Sequence, residues 1–298
     1  MSKEQIKLLI ADRTAKDGLT ETGITGVRLF RATHAMPCVP AVYEPCIVAI
    51  VSGVKEAILD GRRYEYDERQ YLCCPMSMPV QAGTPKASAQ NPLYGVMISL
   101  DPRVMAEILL EMESAGGVLP ASKGELPEPS IRLARWDAGF TDALLRLLQL
   151  GHSRTDMAVL AKARLRELLY AVLKGEAGSF AREAFGAGNA IARSIAHVSS
   201  NLNDPISIDD MANRAGMSRA AFHRKFKKVT SMAPIQFVKS MRLNHAAMKI
   251  AEGRTVNEAA LDVGYASPSQ FSREFKRTYG QSPRQWGDAN RLPVGLNS

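Results

Sequence analysis

The spacing of apolar and polar positions changes character along the chain, and each regime predicts a different kind of element. From residue 23 to 100, short apolar stretches are broken by Gly, Pro and Asp-Gly. Ile47-Val-Ala-Ile-Val-Ser-Gly-Val54 is rich in β-branched residues, and Glu56-Ala-Ile-Leu-Asp-Gly61 closes on an Asp-Gly turn. Tyr64, Tyr66, Tyr71 and Leu72 follow, then Pro75 and Pro79, then the apolar run Leu93 to Leu100. Short strands with such turns predict an antiparallel sandwich or barrel. At Asp101-Pro102 the period lengthens. Val104, Ile108, Leu109 and Met112 share one helical face behind a proline at the first helical position. A Pro/Gly stretch, Gly116 to Pro129, separates this helix from two more, about Asp137–Gln149 and Asp156–Leu173. Their apolar stripes are wide, as expected of helices that bury a face on a barrel or on a partner subunit. Lys174 to Asn189 is rich in Gly and small residues and reads as a domain boundary, and beyond it the pattern is helix and short turn.

That last region contains a repeat. Ser207-Ile-Asp-Asp-Met-Ala-Asn-Arg-Ala-Gly-Met matches Thr255-Val-Asn-Glu-Ala-Ala-Leu-Asp-Val-Gly-Tyr at an offset of 48. One residue is then inserted, and Ser218 to Lys228 matches Ser267 to Arg277 at an offset of 49, with Pro234 matching Pro283 and Phe237 matching Trp286. Ser207 and Thr255 are N-caps with Asp210 and Glu258 three residues on as capping-box partners. Ala212 and Ala260 let a second helix pass closely, Gly216 and Gly264 stop the first helix in a left-handed cap, and Ser218 and Ser267 cap the second. Each copy is therefore a helix-turn-helix, about 207–228 and 255–277. Within each second helix, Phe222 and Phe226, or Phe271 and Phe275, point to the core. The opposite stripe holds Ala220, His223, Arg224 and Lys227 in one copy and Ser269, Ser272, Arg273 and Lys276 in the other, with Lys228 and Arg277 next to Lys227 and Lys276 as further candidate phosphate contacts. A slender, polar, basic face on a capped helix suits a DNA major groove. Arg224 and Arg273 are expected at bases or at the groove edge, the smaller residues tune sequence, and the remaining cations meet phosphate. Pro234 to Glu252 reads as one long helix that fixes the spacing of the two units, about one turn or 10 bp of DNA apart.

Charge sharpens this division. The 298 residues carry 38 Lys+Arg and 30 Asp+Glu, a net of +8. Residues 187–298 hold 16 and 8 of these, which leaves 38 − 16 = 22 and 30 − 8 = 22 for residues 1–186. The whole excess sits in the last third, as a polyanion-binding domain requires. No apolar run approaches the ~20 residues a membrane span needs. The start, Met-Ser-Lys-Glu-Gln-Ile-Lys, has no apolar signal core, and four cysteines in a chain this long form no disulfide scaffold, so a cytoplasmic location is expected.

The doubled motif, with Phe222-His-Arg-Lys-Phe-Lys227, Met241-Arg242-Leu243, Val263-Gly264-Tyr265 and Phe271 through Pro283, resembles AraC/XylS-type transcriptional regulators over about Asn189 to Trp286. The first half more weakly resembles the regulatory domain of one branch of that family, through Tyr43-Glu44-Pro45, Ser52-Gly53-Val54-Lys55, Leu59 to Arg62, Tyr64-Glu65-Tyr66 and Gln70-Tyr71-Leu72. The resemblance implies an α+β protein: a cupin-like β-barrel with trailing helices, then an all-α domain with two helix-turn-helix motifs joined by a long helix. The implied organisation is a sensor and dimerisation domain over 1–180 (barrel about 23–100, helices about 101–173), a linker at 181–188, and a DNA-binding domain over 189–290. It further implies double-stranded promoter DNA and RNA polymerase as partners, a homodimer, activation controlled by a small-molecule effector, and no enzymatic activity.

Two features of the first half carry candidate chemistry. Tyr43, Tyr64, Tyr66, Tyr71 and Tyr94 form a candidate aromatic lining for an effector, or are ordinary strand residues. Cys73-Cys74, at a strand end, is a candidate thiol sensor with one side chain inward and one toward solvent. The plainer reading is that they are small buried hydrophobes. His34, His152, His197, His223 and His245 are scattered without a His-x-His, and no Cys-x-x-Cys occurs, so neither a metal nor another cofactor is expected. Control by thiol modification or by a protein partner is the alternative to a bound ligand.

Overall fold

The computed structural model of the protein describes residues 2–116, 130–186 and 189–290. Nearly all of the Pro/Gly stretch, and residues 187–188 of the expected linker, lie outside the described residues. The chain opens with a helix, α1 (Ser2–Arg13), that the mixed charge of its sequence conceals. Ile6 and Ile10, four apart, are fully buried and hold it on the domain. Nine strands follow: β1 (Gly18–Glu21), β2 (Val27–Ala32), β3 (Met36–Tyr43), β4 (Cys46–Ser52), β5 (Lys55–Leu59), β6 (Arg62–Tyr66), β7 (Gln70–Cys74), β8 (Met78–Thr84) and β9 (Leu93–Ser99). The Asp60-Gly61 turn between β5 and β6 has φ of 48° and 76°, the left-handed pair that a tight hairpin requires.

The strands form two antiparallel sheets. One has six strands in the order β1-β2-β9-β4-β7-β10, where β10 (Arg132–Arg135) returns after α2 (Pro102–Ser114); the other has four, β3-β8-β5-β6. Between the sheets, Phe30, Val48, Ile50, Leu72 and Cys74 of the first meet Tyr43, Ala57, Tyr64, Tyr66, Met78 and Val80 of the second. The other face of the six-stranded sheet carries Val27, Leu29, Ile47, Ala49, Tyr71, Cys73, Val96 and Ile98. It is covered by α1, α2, α3 (Ala138–Gln149) and α4 (Arg154–Lys174). The helix starts follow their caps: Asp101, Asp137 and Ser153 accept from the backbone N–H groups of Arg103, Phe140 and Asp156. A fifth helix departs from expectation. The stretch read as a linker contains α5 (Gly178–Phe185), because Phe180, Ala181 and Ala184 bury one face despite the glycine-rich composition.

From residue 190 to 290 the chain is helical: α6 (Ala190–Ser200), α7 (Ile208–Arg214), α8 (Arg219–Thr230), α9 (Pro234–Ala251), α10 (Val256–Asp262), α11 (Pro268–Tyr279) and α12 (Pro283–Asn290). Phe222, Phe226 and Phe237 pack edge to face or tilted in the first half, and Phe271, Phe275 and Trp286 do so in the second. Each buried ring is worth about 1.5–3 kcal/mol relative to exposure. Trp286 also donates from Nε1 to the Ala247 carbonyl at 3.1 Å, which ties α12 to α9.

Helix α9 also rests on the four-stranded sheet. Asn244 donates from Nδ2 to the Ala41 carbonyl (2.7 Å) and the Val80 carbonyl (2.8 Å), residues opposite one another on β3 and β8. Its Oδ1 accepts from the Tyr279 hydroxyl at 2.6 Å. One buried amide thus links the sheet, the long helix and α11, with all its hydrogen-bonding capacity except one lone pair in use.

Candidate nucleic-acid interface and barrel interior

Helices α7 and α8 form the first helix-turn-helix and α10 and α11 the second. Thr255 and Glu258 complete a reciprocal capping box at the start of α10. In the first copy the box is half made. Ser207 accepts from the Asp210 N–H, while the shorter Asp210 carboxylate takes the Ser207 hydroxyl instead of reaching back to its backbone. Gly216 and Gly264 have φ of 65° and 82°, the left-handed conformation that ends each first helix. Ala212 and Ala260 are buried between the helices. Ser218 and Ser267 cap α8 and α11 through the N–H groups of Ala221 and Gln270.

The predicted reading faces are outward. Ala220, His223, Arg224, Lys227 and Lys228 are exposed on α8, and Ser269, Arg273, Lys276 and Arg277 are exposed on α11, with Ser272 half-buried. Among the described residues, none of the six cations on these faces makes an ion pair, whereas three cations elsewhere in the same domain do. Arg219 pairs with Asp209 at 2.9 Å, Lys239 with Glu274 at 3.2 Å and Lys249 with Asp262 at 2.7 Å. A charge left without a counterion at matching positions of two repeated helices is placed for an external polyanion.

The barrel interior divides the candidate residues of the first half. Tyr43, Tyr64 and Tyr66 lie between the sheets, where the hydroxyls of Tyr43 and Tyr66 are buried beside one another and meet no other hydrogen-bonding group among the described residues. Tyr71 and Tyr94 do not belong to that lining. Tyr71 sits on the opposite face of the sheet, stacked on Phe140 at 4.4 Å between centroids, and Tyr94 packs on the same helix-covered side. The reason is the two-residue period: Leu72 and Leu93 point between the sheets, so their neighbours in sequence point away. The same alternation separates Cys73 from Cys74, yet neither meets solvent, which corrects the expectation that one would. Helices cover one face and the second sheet the other, and both side chains are fully buried. Burial pushes the Cys73 thiol up to about 12 and the Cys74 thiol well above its ordinary value, which disfavours the reactive thiolate. Cys38 is half-buried, donates to Glu56 Oε1 at 3.3 Å and is pushed up to about 11, chiefly by burial.

Lys55 joins this interior as a residue with no chemistry assigned from the sequence. Its ammonium lies 5.6 Å from the centre of the Phe30 ring at the barrel interior, and among the described residues it has no carboxylate partner. Burial lowers its pKa to about 8. A lysine at the start of a strand gives no sequence signal of this placement. Among the described residues no group of three or more His, Cys, Asp or Glu side chains is placed to hold a metal ion. No described helix is long and apolar enough to cross a membrane.

Two capped reading helices, repeated in one basic domain and joined to a β-sheet domain, define a DNA-binding regulator of the double helix-turn-helix class. Residues 23–180 match the model for the AraC-type transcriptional regulator N-terminus, and residues 211–289 match a helix-turn-helix domain. The chain belongs to the AraC-type transcriptional regulators. It is similar to the putative HTH-type transcriptional regulator YkgA of Escherichia coli, 33% identical over 103 residues that cover 32% of this chain and 43% of that one. It is also similar to the regulatory protein SoxS of Escherichia coli, 30% identical over 93 residues, 31% of this chain and 87% of SoxS. The match therefore spans less than half of YkgA but nearly all of SoxS. A crystal structure of ToxT from Vibrio cholerae, bound to (E)-4-(8-methylnaphthalen-1-yl)but-3-enoic acid, superposes on 91% of this chain and 99% of its own, with a TM-score of 0.57 and 11% identity. At that identity the likeness shows a shared fold.

Proposed function

We propose that this AraC-type regulator binds promoter DNA through α8 and α11 and is switched by a small organic acid held between the sheets of its first domain. The observation that carries the DNA reading is the set of six unpaired cations on two repeated reading faces. Arg224 and Arg273 approach bases, Ala220, His223, Ser269 and Ser272 adjust sequence preference, and Lys227, Lys228, Lys276 and Arg277 hold phosphate. For the effector, the support is the Lys55 ammonium, which has no carboxylate partner among the described residues, the buried hydroxyls of Tyr43 and Tyr66 beside one another, and the apolar walls around them. An apolar body with one carboxylate satisfies all three. ToxT structures of the same fold hold such acids, a naphthyl butenoic acid in one and an unsaturated fatty acid in another.

The protein acts as an activator and homodimer in this reading, with RNA polymerase as its partner at the promoter. The exposed Val159 and Leu160 in the first half of α4, with Tyr170 further along, support a self-association face on that helix. The test is recovery of fragmented genomic DNA by the purified protein, sequenced, and repeated with Arg224 and Arg273 both changed to Ala. The proposal expects a few sharp peaks that the double variant loses. Diffuse, salt-sensitive recovery that survives both substitutions contradicts it.

A further inference from the structure

The second helix-turn-helix unit also touches the turn that leads into the first, besides sharing α9 with it. Arg242, half-buried on α9, donates from Nε to the Leu202 carbonyl at 3.0 Å and from Nη2 to the Asp204 carbonyl at 2.8 Å. Both acceptors lie in the turn between α6 and α7 that leads into the first unit. Against the same turn sits Gly264, the glycine of the second unit's own turn. A Cβ at Gly264 would fall 2.6 Å from the Leu202 carbonyl oxygen, and 3.0 Å from both the Asn203 carbonyl oxygen and Arg242 Nη2.

The repeat supplies an internal control. Gly216 occupies the equivalent position in the first unit with the same left-handed backbone, yet nothing lies within 4 Å of where its Cβ would be. Backbone conformation accounts for a glycine at both positions. It does not account for the crowding at Gly264, which comes from the turn ahead of the first unit and from Arg242 of the shared helix.

We propose that Arg242 and Gly264 form a clamp that fixes the second recognition helix relative to the first, and so set the spacing between the two DNA segments the protein accepts. Arg242 acts here as a positioning residue. Its planar fork is oriented by two carbonyls of one turn, a geometry that lysine's single ammonium does not reproduce. The lever is long. With heads about 34 Å apart, a tilt of about 6° at this joint moves the second helix by about 3.4 Å, one base-pair step. A loose joint therefore lets the second head reach neighbouring registers, and a closed one confines it to a single register.

This inference rests on the DNA-binding reading, and the test separates the two. The full chain and its Arg242→Ala, Arg242→Lys, Gly264→Ala and Gly216→Ala variants select from a random-sequence duplex DNA library, with circular dichroism and thermal melting as the check on folding. Wild type should recover two sequence blocks at one spacing. Both Arg242 variants should recover the same blocks spread over neighbouring spacings, the preference over a site one base pair longer falling at least about tenfold, equivalent to about 1.4 kcal/mol. Gly264→Ala should shift or broaden the spacing, and Gly216→Ala should leave it single. Arg242→Lys that folds and keeps the wild-type spacing distribution overturns the clamp, as does Gly216→Ala broadening it as much as Gly264→Ala. Failure of wild type to enrich any sequence overturns the DNA-binding reading itself, before any variant is compared.

Discussion

The Asn244 amide is the point at which the docking of the two domains is most open to measurement. Asn244→Ala removes two donated hydrogen bonds and one accepted one. At about 1 kcal/mol net for each bond, the loss is about 3 kcal/mol, and it rises toward about 5 kcal/mol where the abandoned carbonyls and hydroxyl stay dry. The Val80 carbonyl is at a fully buried contact, so part of that increment applies. Tyr279→Phe removes only the bond from the hydroxyl, and about 1–2 kcal/mol is expected. The assay is equilibrium urea unfolding of the full chain, followed separately by the fluorescence of the first domain, through Trp136, and of the second, through Trp286, using single-tryptophan variants. Because the amide spans both domains, Asn244→Ala should lower the midpoints of both signals and separate them. Tyr279→Phe acts mainly within the second domain and should leave the Trp136 signal nearly unchanged. A loss below about 1 kcal/mol for Asn244→Ala, or an unchanged first-domain transition, refutes the reasoning from buried polar satisfaction.

Other consequences concern the barrel and its chemistry. A thiol reagent at neutral pH should modify Cys38 slowly and leave Cys46, Cys73 and Cys74 unmodified until the chain unfolds; mass spectrometry showing early modification at Cys73 or Cys74 contradicts their burial. For Lys55, the depressed pKa of about 8 means that the native state releases its proton before the unfolded one does. Stability contributed by this group therefore rises with pH from about 8 to the ordinary lysine value, whereas affinity for an acid falls about tenfold per unit above pH 8. Calorimetric titration with an aryl or alkyl carboxylate across pH 7–10 checks the second part, and a flat profile, or one unaltered by Lys55→Met, removes Lys55 from the site. At Gly95, a Cβ would meet the Phe30 ring at 2.3 Å and the Ala49 carbonyl at 2.7 Å, so Gly95→Ala should cost about 2–4 kcal/mol in thermal or urea unfolding. An unchanged midpoint there means the sheet yields more easily than its packing indicates.

Local chemistry carried the second domain in the sequence. The caps, the left-handed glycines and the Phe pairs of each helix-turn-helix act within a few residues, so their pattern could be read directly, and the repeat displayed it twice. The first domain was less legible for a physical reason. In β4 and β7 both faces of the sheet are covered, so alternation of apolar and polar residues disappears and the face of Tyr71 or of each cysteine has no sequence signal. Helix α1 and strand β10 carry no clear sequence signal, because mixed charge blurs the apolar stripe of the first, while the second has four residues and pairs with β7 from a distance. Arg242, Asn244 and Lys55 gain their roles only from partners far along the chain or across a sheet.

In the proposed mode of binding, α8 and α11 read two different segments of one DNA site. Its most direct test is fluorescence anisotropy on a site recovered by wild type, with every base pair substituted in turn, for wild type, Arg224→Ala and Arg273→Ala. The account predicts that each variant loses about 1–3 kcal/mol at the intact site and relaxes base preference in one half only, a different half for each. Equal losses on every sequence with a shallower salt dependence would show that both arginines contact phosphate, and that neither helix reads bases through them.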